Sequence, residues 1–471
     1  MISLLTIFLC GQKSLVPRKI LTIPQQTVAT DMAPLKDIAP LQHPQFNLDS
    51  SGIAGFFGGD EAISAMETVH VYEGRRWLGW YNPPGSYLVA KTYGRLANSK
   101  FWNTIFPGAR SDPASLFGFK GHTGPQFLGV YSGTKLMDTG HTGFLLMRRC
   151  ESLSPSQMIE GRITSHSTVT IVKLETVPAF DIDAANPITW SQAFIASLCM
   201  LSSFGACAIC GIFQDWYCFS MILLGILSNG FSCFVIGSLA LKFHHPTPAK
   251  DSTLGDGLLL PNGSDYVILV GEEGAVNPIT RGSFSLEFGG DEAQRDVAYT
   301  AIGIATTVLT IQFLLQLLLI PQGTLFGQIM FLSTLAVSWA YNCYLSSLDA
   351  ETIQADILTT RVLKNPLMTK YMLGTHTATV VFLVLVLRPP NPDEIFNRLL
   401  PDNETWRTWK RVVSGKLRRG EELSFTEADL DGVTGMSDQS LLRTLFGDTT
   451  SAYRGFIDHV DRAIRGKGGK Y

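Results

Sequence analysis

The sequence predicts an α-helical polytopic membrane protein of about five spans, with two tight helical hairpins, an α+β N-terminal domain before them and a small β-module between spans two and three. Three observations predict it. Of the 471 residues, 45% are hydrophobic and only 16% are charged, against roughly 25% charged in an ordinary soluble domain. Four apolar runs, at 189–213, 216–241, 298–320 and 324–345, contain no Lys, Arg, Asp or Glu. Each reaches the ~20 residues that a hydrocarbon core requires, whereas a soluble helix of that length needs a polar face. The connectors inside each pair of runs are also very short, Gln214-Asp215 in the first and Pro321-Gln322-Gly323 in the second, which calls for antiparallel neighbours.

Residues 1–60 read as a disordered tether, because Pro17, Pro24, Pro34, Pro40 and Pro44 interrupt a polar background. Its first ten residues, MISLLTIFLC, are apolar like the core of a signal peptide. No basic stretch precedes them and no small-x-small site follows, so a packed or frayed segment is expected. Residues 61–187 read as the α+β domain, with Trp77, Trp80, Tyr81, Phe101 and Trp102, the turn cluster Asn82-Pro83-Pro84-Gly85, and strand-like runs at 143–147 and 168–174. The first hairpin occupies 188–242. The loop 243–297 carries the β-module: Leu258-Leu259-Leu260 and 266–270 form a hairpin through Pro261-Asn262-Gly263-Ser264, and 283–288 alternates as a third strand. The second hairpin occupies 298–346, a connecting segment 347–370, and a short fifth span 371–388. A polar C-terminal tail, 389–471, opens at Pro389-Pro390, holds a basic block at 407–419 and ends in a helix near 439–464.

The net charge of −3 and pI near 6.3 argue against a nucleic-acid binder, which normally presents a basic face. Gly271-Glu272-Glu273-Gly274 puts two carboxylates where a phosphate would sit, so it is read as a turn. Cys207-x-x-Cys210 has no second pair and reads as packing within a span. Gly-His-Thr-Gly occurs at 121–124 and again at 140–143; His122 and His141 could ligate a metal if they met, but as two separate turns they do not. No catalytic constellation, cofactor site or metal site is expected. The positions that stand out are polar groups inside apolar runs: Asn229, Gln312, Gln316, Gln328, Asn342 and His376. They serve either as hydrogen-bonding glue between helices, beside the small-residue pairs Ser228/Ser232 and Ala301/Ala305, or as a polar solute path.

Four segments together are similar to a family of multi-pass membrane proteins from mushroom-forming (basidiomycete) fungi: Glu160–Ser167 (EGRITSHS), Asp215–Cys218 (DWYC), Gly271–Gly282 (GEEGAVNPITRG) and Ser338–Leu348 (SWAYNCYLSSL). The resemblance runs from about Tyr72 to the tail. It implies an integral membrane protein and carries no catalytic or binding residue to this chain.

The function expected is that of a non-enzymatic membrane scaffold or receptor-like interaction protein, with a channel or carrier for a neutral polar solute as the alternative. Its partners are the lipid bilayer and other membrane or cytoplasmic proteins. Lys173, Lys242, Lys250, Arg281, Arg295, Arg361, Lys364 and Lys370 flank one end of the spans and no Lys or Arg occupies the turns at the other, so the N-terminal domain is expected on the cytoplasmic side. Five spans then place the tail outside and leave Asn403, but not Asn262, open to glycosylation.

Overall fold

The computed structural model describes residues 59–468 apart from 98, 109–110, 179–181, 184, 261–262, 290 and 431–434. The N-terminal apolar stretch, most of the expected tether and Asn262 lie outside the described residues. Helix α1 (Asp60–Val71) leads through a loop to α2 (Ser86–Tyr93). Strands β1 (Gln126–Gly129) and β2 (Lys135–Leu136) precede α3 (Gly140–Ser152), and β3 (Gln157–Met158) and β4 (Ser167–Lys173) follow it. Two long helices, α4 (Trp190–Ile212) and α5 (Trp216–Ile236), come next, then β5 (Gly257–Leu260), β6 (Asp265–Val270) and α6 (Glu273–Thr280). A second long pair, α7 (Glu292–Leu319) and α8 (Leu325–Ser346), gives way to α9 (Ala350–Ile357), β7 (Leu367–Leu373) and α10 (His376–Leu387). Three outer helices complete the chain: α11 (Pro392–Leu399), α12 (Glu404–Arg419) and α13 (Met436–Gly468).

Among the described residues, three helical segments are long and apolar enough to cross a membrane: α4, α5 and Ala293–Gln322. Thr189 and Gln192 close a capping box at the start of α4, and the Asp215 carboxylate caps α5 by accepting from the Cys218 amide. Leu198, Leu201 and Phe204 on α4, and Ile311, Leu314 and Leu318 on α7, face outward, a density of large exposed apolar side chains on each helix that is foreign to a water-bathed monomer. The fourth expected span, α8, has 22 residues and a length of about 33 Å at 1.5 Å per residue. Gln328, Thr334, Ser338 and Asn342 dilute its hydropathy, and it is not among those three. Helices α4 and α5 pack on each other. In the second pair, α7 packs mainly on α5 and α2, while α8 packs on α1 and α4, so their tight connection does not make them close neighbours along their length.

The fifth expected span requires correction. Residues 371–388 divide into the end of β7 and the 12-residue helix α10, whose length of about 18 Å falls well short of a ~30 Å hydrocarbon core. This helix is apolar all round because protein covers all of it. The sheet lies on one side of it, and Phe396, Trp409, Leu442 and Leu445 on the other.

That sheet has seven strands in the order β2-β1-β5-β6-β4-β7-β3. At its centre β6 runs parallel to β4, from Asp265 opposite Thr168 to Val270 opposite Lys173. Strand β7 runs antiparallel to β4 on its other side, from Leu367 opposite Lys173 to Leu373 opposite Ser167. The β5–β6 hairpin forms in its expected place, but β5 also pairs with β1, so the loop between the helix pairs completes the first domain's sheet instead of standing as a module. Ser283–Glu287, the expected third strand, joins a separate sheet with Ala240–His244 and Ile182–Asp183. The run at 143–147, expected as a strand, is helical within α3. Alternation along the strands feeds two cores. Val172, Leu259, Val267 and Leu269 meet Leu145 and Leu146 of α3 and Ile279 of α6; Val169, Ile171, Leu258 and Ile268 meet α10.

Candidate functional site within the helix bundle

The loop between α1 and α2 reads GRRWLGWYNPPG at 74–85 and turns at each end on a glycine, Gly74 (φ 81°) and Gly85 (φ 75°), in a region open to residues without a Cβ. Between them the backbone enters the helix bundle. Irregular backbone at that depth is tolerated only where protein satisfies its polar groups, and Pro83-Pro84 brings no N–H to satisfy.

Asn82 is fully buried and joins three helices. Its main-chain amide donates to Ser203 Oγ of α4 at 3.2 Å, its Nδ2 donates to Thr334 Oγ1 of α8 at 2.9 Å, and its Oδ1 accepts from Gln316 Nε2 of α7 at 3.1 Å. Gln316 also donates to the Met221 carbonyl at 3.1 Å and accepts from Gln312 at 3.3 Å. Asn229 Nδ2 on α5 donates to the Gly79 carbonyl at 2.6 Å, and Tyr81 Oη donates to Asn342 Oδ1 on α8 at 3.0 Å. Four of the polar positions singled out in the sequence, Asn229, Gln312, Gln316 and Asn342, therefore belong to one network whose hub is the loop.

Two glycines of α5 make the room. A Cβ on Gly225 would sit 1.9 Å from Asn82 Oδ1, and one on Gly230 would sit 2.2 Å from the Trp80 ring. Close approach of this kind is what glycine permits.

The other two positions lie elsewhere. Gln328 sits at the far turn and donates to the Gly323 carbonyl at 3.1 Å. Beside that turn the buried Asp215 carboxylate accepts from the Thr324 amide at 2.8 Å and the Thr324 hydroxyl at 2.6 Å, so one side chain caps α5 and ties down the start of α8. His376 is not in the bundle at all. It is exposed at the start of α10 and hydrogen-bonds the Leu399 carbonyl at 2.9 Å, because the segment that carries it belongs to the α/β unit.

His122 and His141 do meet, with ring centroids 5.5 Å apart, contrary to their expected separation. The Nε2 of each ring has its own partner, Glu351 Oε1 at 3.1 Å for His122 and Gln354 Oε1 at 2.6 Å for His141, while the buried His141 Nδ1 has none. Burial lowers the pKa of His141. Among the described residues no group of three or more His, Cys, Asp or Glu is arranged to hold a metal ion. Cys207 and Cys210 are both free and buried. The Gly271–Gly274 stretch is a strand-to-helix turn between β6 and α6, in which Glu272 Oε2 accepts from Thr176 at 3.2 Å.

Cavities divide unevenly. Two in the bundle region measure about 40 Å³, beside Gln316, and about 10 Å³, beside Arg75. One in the α/β unit measures about 610 Å³ and is lined by the end of α10 at Arg388, by Arg418 and Glu421 near the end of α12, and by Tyr453 and Phe456 of α13.

Asn82 and Tyr81 carry the network and Asp215 the far turn, and sequence reasoning passed over them. The signal for the loop was the uncharged aromatic run 77–85, which reads as a soluble turn when only its Asn-Pro-Pro-Gly is weighed. No family model, no curated protein and no solved structure matches the chain.

Proposed function

We propose that this chain is a multi-pass membrane protein in which α4, α5, α7 and α8 cross the bilayer and hold the α/β unit at one face, and that it acts as an interaction protein rather than as a carrier. One observation carries the choice between the two. Four of the polar side chains that would line a solute path, Asn229, Gln312, Gln316 and Asn342, are bonded to one another or to residues 79–82, with Asn82 plugged between α4, α7 and α8. A path for a neutral solute needs unfilled polar space, and the cavities beside these residues hold about 40 and 10 Å³. The cavity of about 610 Å³ falls in the ligand-sized range of about 300–1,000 Å³ and lies in the α/β unit. In this reading the bundle is the anchor and the α/β unit does the binding, on the cytoplasmic side favoured by its flanking lysines and arginines.

Proteoliposomes containing the full chain and loaded with glycerol or urea test it. Swelling or efflux no faster than in empty vesicles is expected. A flux above background that Gln316→Leu abolishes would overturn the assignment in favour of a carrier.

A further inference from the structure

Arg75 lies where the loop enters the bundle, and its side chain is 3% exposed. Two of its donors, Nε and Nη1, have no hydrogen-bond partner. Its guanidinium stands 5.4 Å from the Tyr341 ring centroid, and its other polar neighbours are Tyr81 and Cys233, all uncharged at neutral pH. Guanidinium does not give up its proton in proteins, so this is a buried full charge. Buried charges are ordinarily paired or bound to a counter-ion, because desolvation is too costly otherwise.

Arg75 faces a cavity of about 10 Å³ whose other polar lining is Tyr81, Ser86, Asn229 and Asn342. No Asp or Glu lines it. Its size is that of about one water-sized sphere, which excludes sulfate, phosphate or a carboxylate and leaves a monatomic ion, whose slightly larger radius the flexible Arg75 and Met66 side chains of the lining accommodate by a shift of a few tenths of an ångström. Water would satisfy the donors and leave the charge uncompensated. We propose that Arg75 and this cavity bind a single halide ion, chloride under cellular conditions, at the junction of the bundle and the α/β unit.

A ligand bound only by the folded state raises the unfolding midpoint with its concentration. The full chain in detergent is unfolded thermally in chloride, bromide, sulfate or gluconate at matched ionic strength. Chloride and bromide are expected to raise the midpoint in a saturable way, and sulfate and gluconate are not. Arg75→Lys keeps the charge without the planar fork and is expected to weaken the apparent halide affinity by about tenfold; Arg75→Met is expected to abolish the response. If Arg75→Met does not fold, Arg75→Lys together with binding of radioactive chloride to the wild type decides the matter. No halide-specific stabilisation in the wild type, or the same halide response in an Arg75 variant that folds, would overturn the proposal.

Discussion

Gly225→Ala is the sharpest probe of the inserted loop, because the structure places its added methyl 1.9 Å from Asn82 Oδ1, 2.8 Å from Asn82 Cγ and 3.1 Å from Gln316 Nε2. Real Cβ contacts do not come that close, so either the loop or α5 must shift. Overpacking of this kind costs about 1–3 kcal/mol. Asn82→Ala alone removes two side-chain hydrogen bonds but orphans neither partner, since Gln316 keeps the Met221 carbonyl and Thr334 keeps the Phe331 carbonyl. At the ~0.6 kcal/mol typical of hydrogen bonds between membrane helices, that loss is about 1 kcal/mol. The double variant is informative because Asn82→Ala deletes the two atoms nearest the new methyl and leaves only the tip of Gln316, which can rotate. The pair should therefore cost less than the sum of the single changes, with a coupling of about 1–2 kcal/mol. Buried thiols such as Cys199, Cys210, Cys218 and Cys233 allow unfolding in detergent to be followed with a thiol-reactive fluorophore. A neutral Gly225→Ala, or costs that simply add, would show that Asn82 is not seated against α5.

Three further outcomes are expected. Burial pushes the pKa of the Glu67 carboxyl on α1 up from 4.5 to about 7, so its contribution to stability is intact below about pH 4.5 and lost as pH rises through 7. Glu67→Gln should accordingly gain about 1–3 kcal/mol on the wild type at pH 8 and nothing at pH 4.5; equal unfolding midpoints of the two proteins at pH 8 would sink this. Asp215→Ala should destabilise the bundle by about 1–3 kcal/mol by freeing both the α5 cap and the Thr324 contacts, and an unchanged midpoint in detergent would contradict it. The five-span expectation that exposes Asn403 falls with the fifth span: β7 lies in the same sheet as β4 and Asn403 caps α12 of the unit packed on it, so on the cytoplasmic reading of that unit expression in a glycosylating host should leave Asn403 unmodified, and a gel shift lost in Asn403→Gln would place the whole α/β unit outside.

What could be read from the sequence follows from how local each signal is. The charge gap in α4, α5 and α7 is a property of consecutive residues, and so are the alternation of β4 and β6 and the Pro-Asn-Gly-Ser motif that predicts the β5–β6 hairpin. The apolar run of α10 is equally local, yet it carries no information about what surrounds it: a helix without a polar face is the same string whether lipid or protein covers it. Only its length, which falls short once β7 takes the first residues, separates the two. The partners of β4 could not be read, because β6 and β7 reach it from beyond the helix pairs and pairing leaves no mark in either strand alone. In the bundle, Asn229, Gln312, Gln316 and Asn342 stood out as polar residues in apolar runs. Asn82, the partner of Gln316, did not, since beside Pro83-Pro84-Gly85 an asparagine is the commonplace of a surface turn.

The position of β4 between β6 and β7 sets an order of events during synthesis. β6 lies beyond α4 and α5 in the chain, and β7 lies beyond α7 and α8 as well. The strand that both must flank is made first, and at about 5–20 residues per second the roughly two hundred residues separating it from β7 take some 10–40 seconds to emerge. Throughout that interval β4, with Val169, Ile171 and Val172, presents an unpaired apolar edge of the kind that invites association with other chains. Closure of the sheet therefore requires that both helix pairs have been made and packed back against one another: a chain that stops short of β7, or whose helix pairs are misplaced, leaves this seam open.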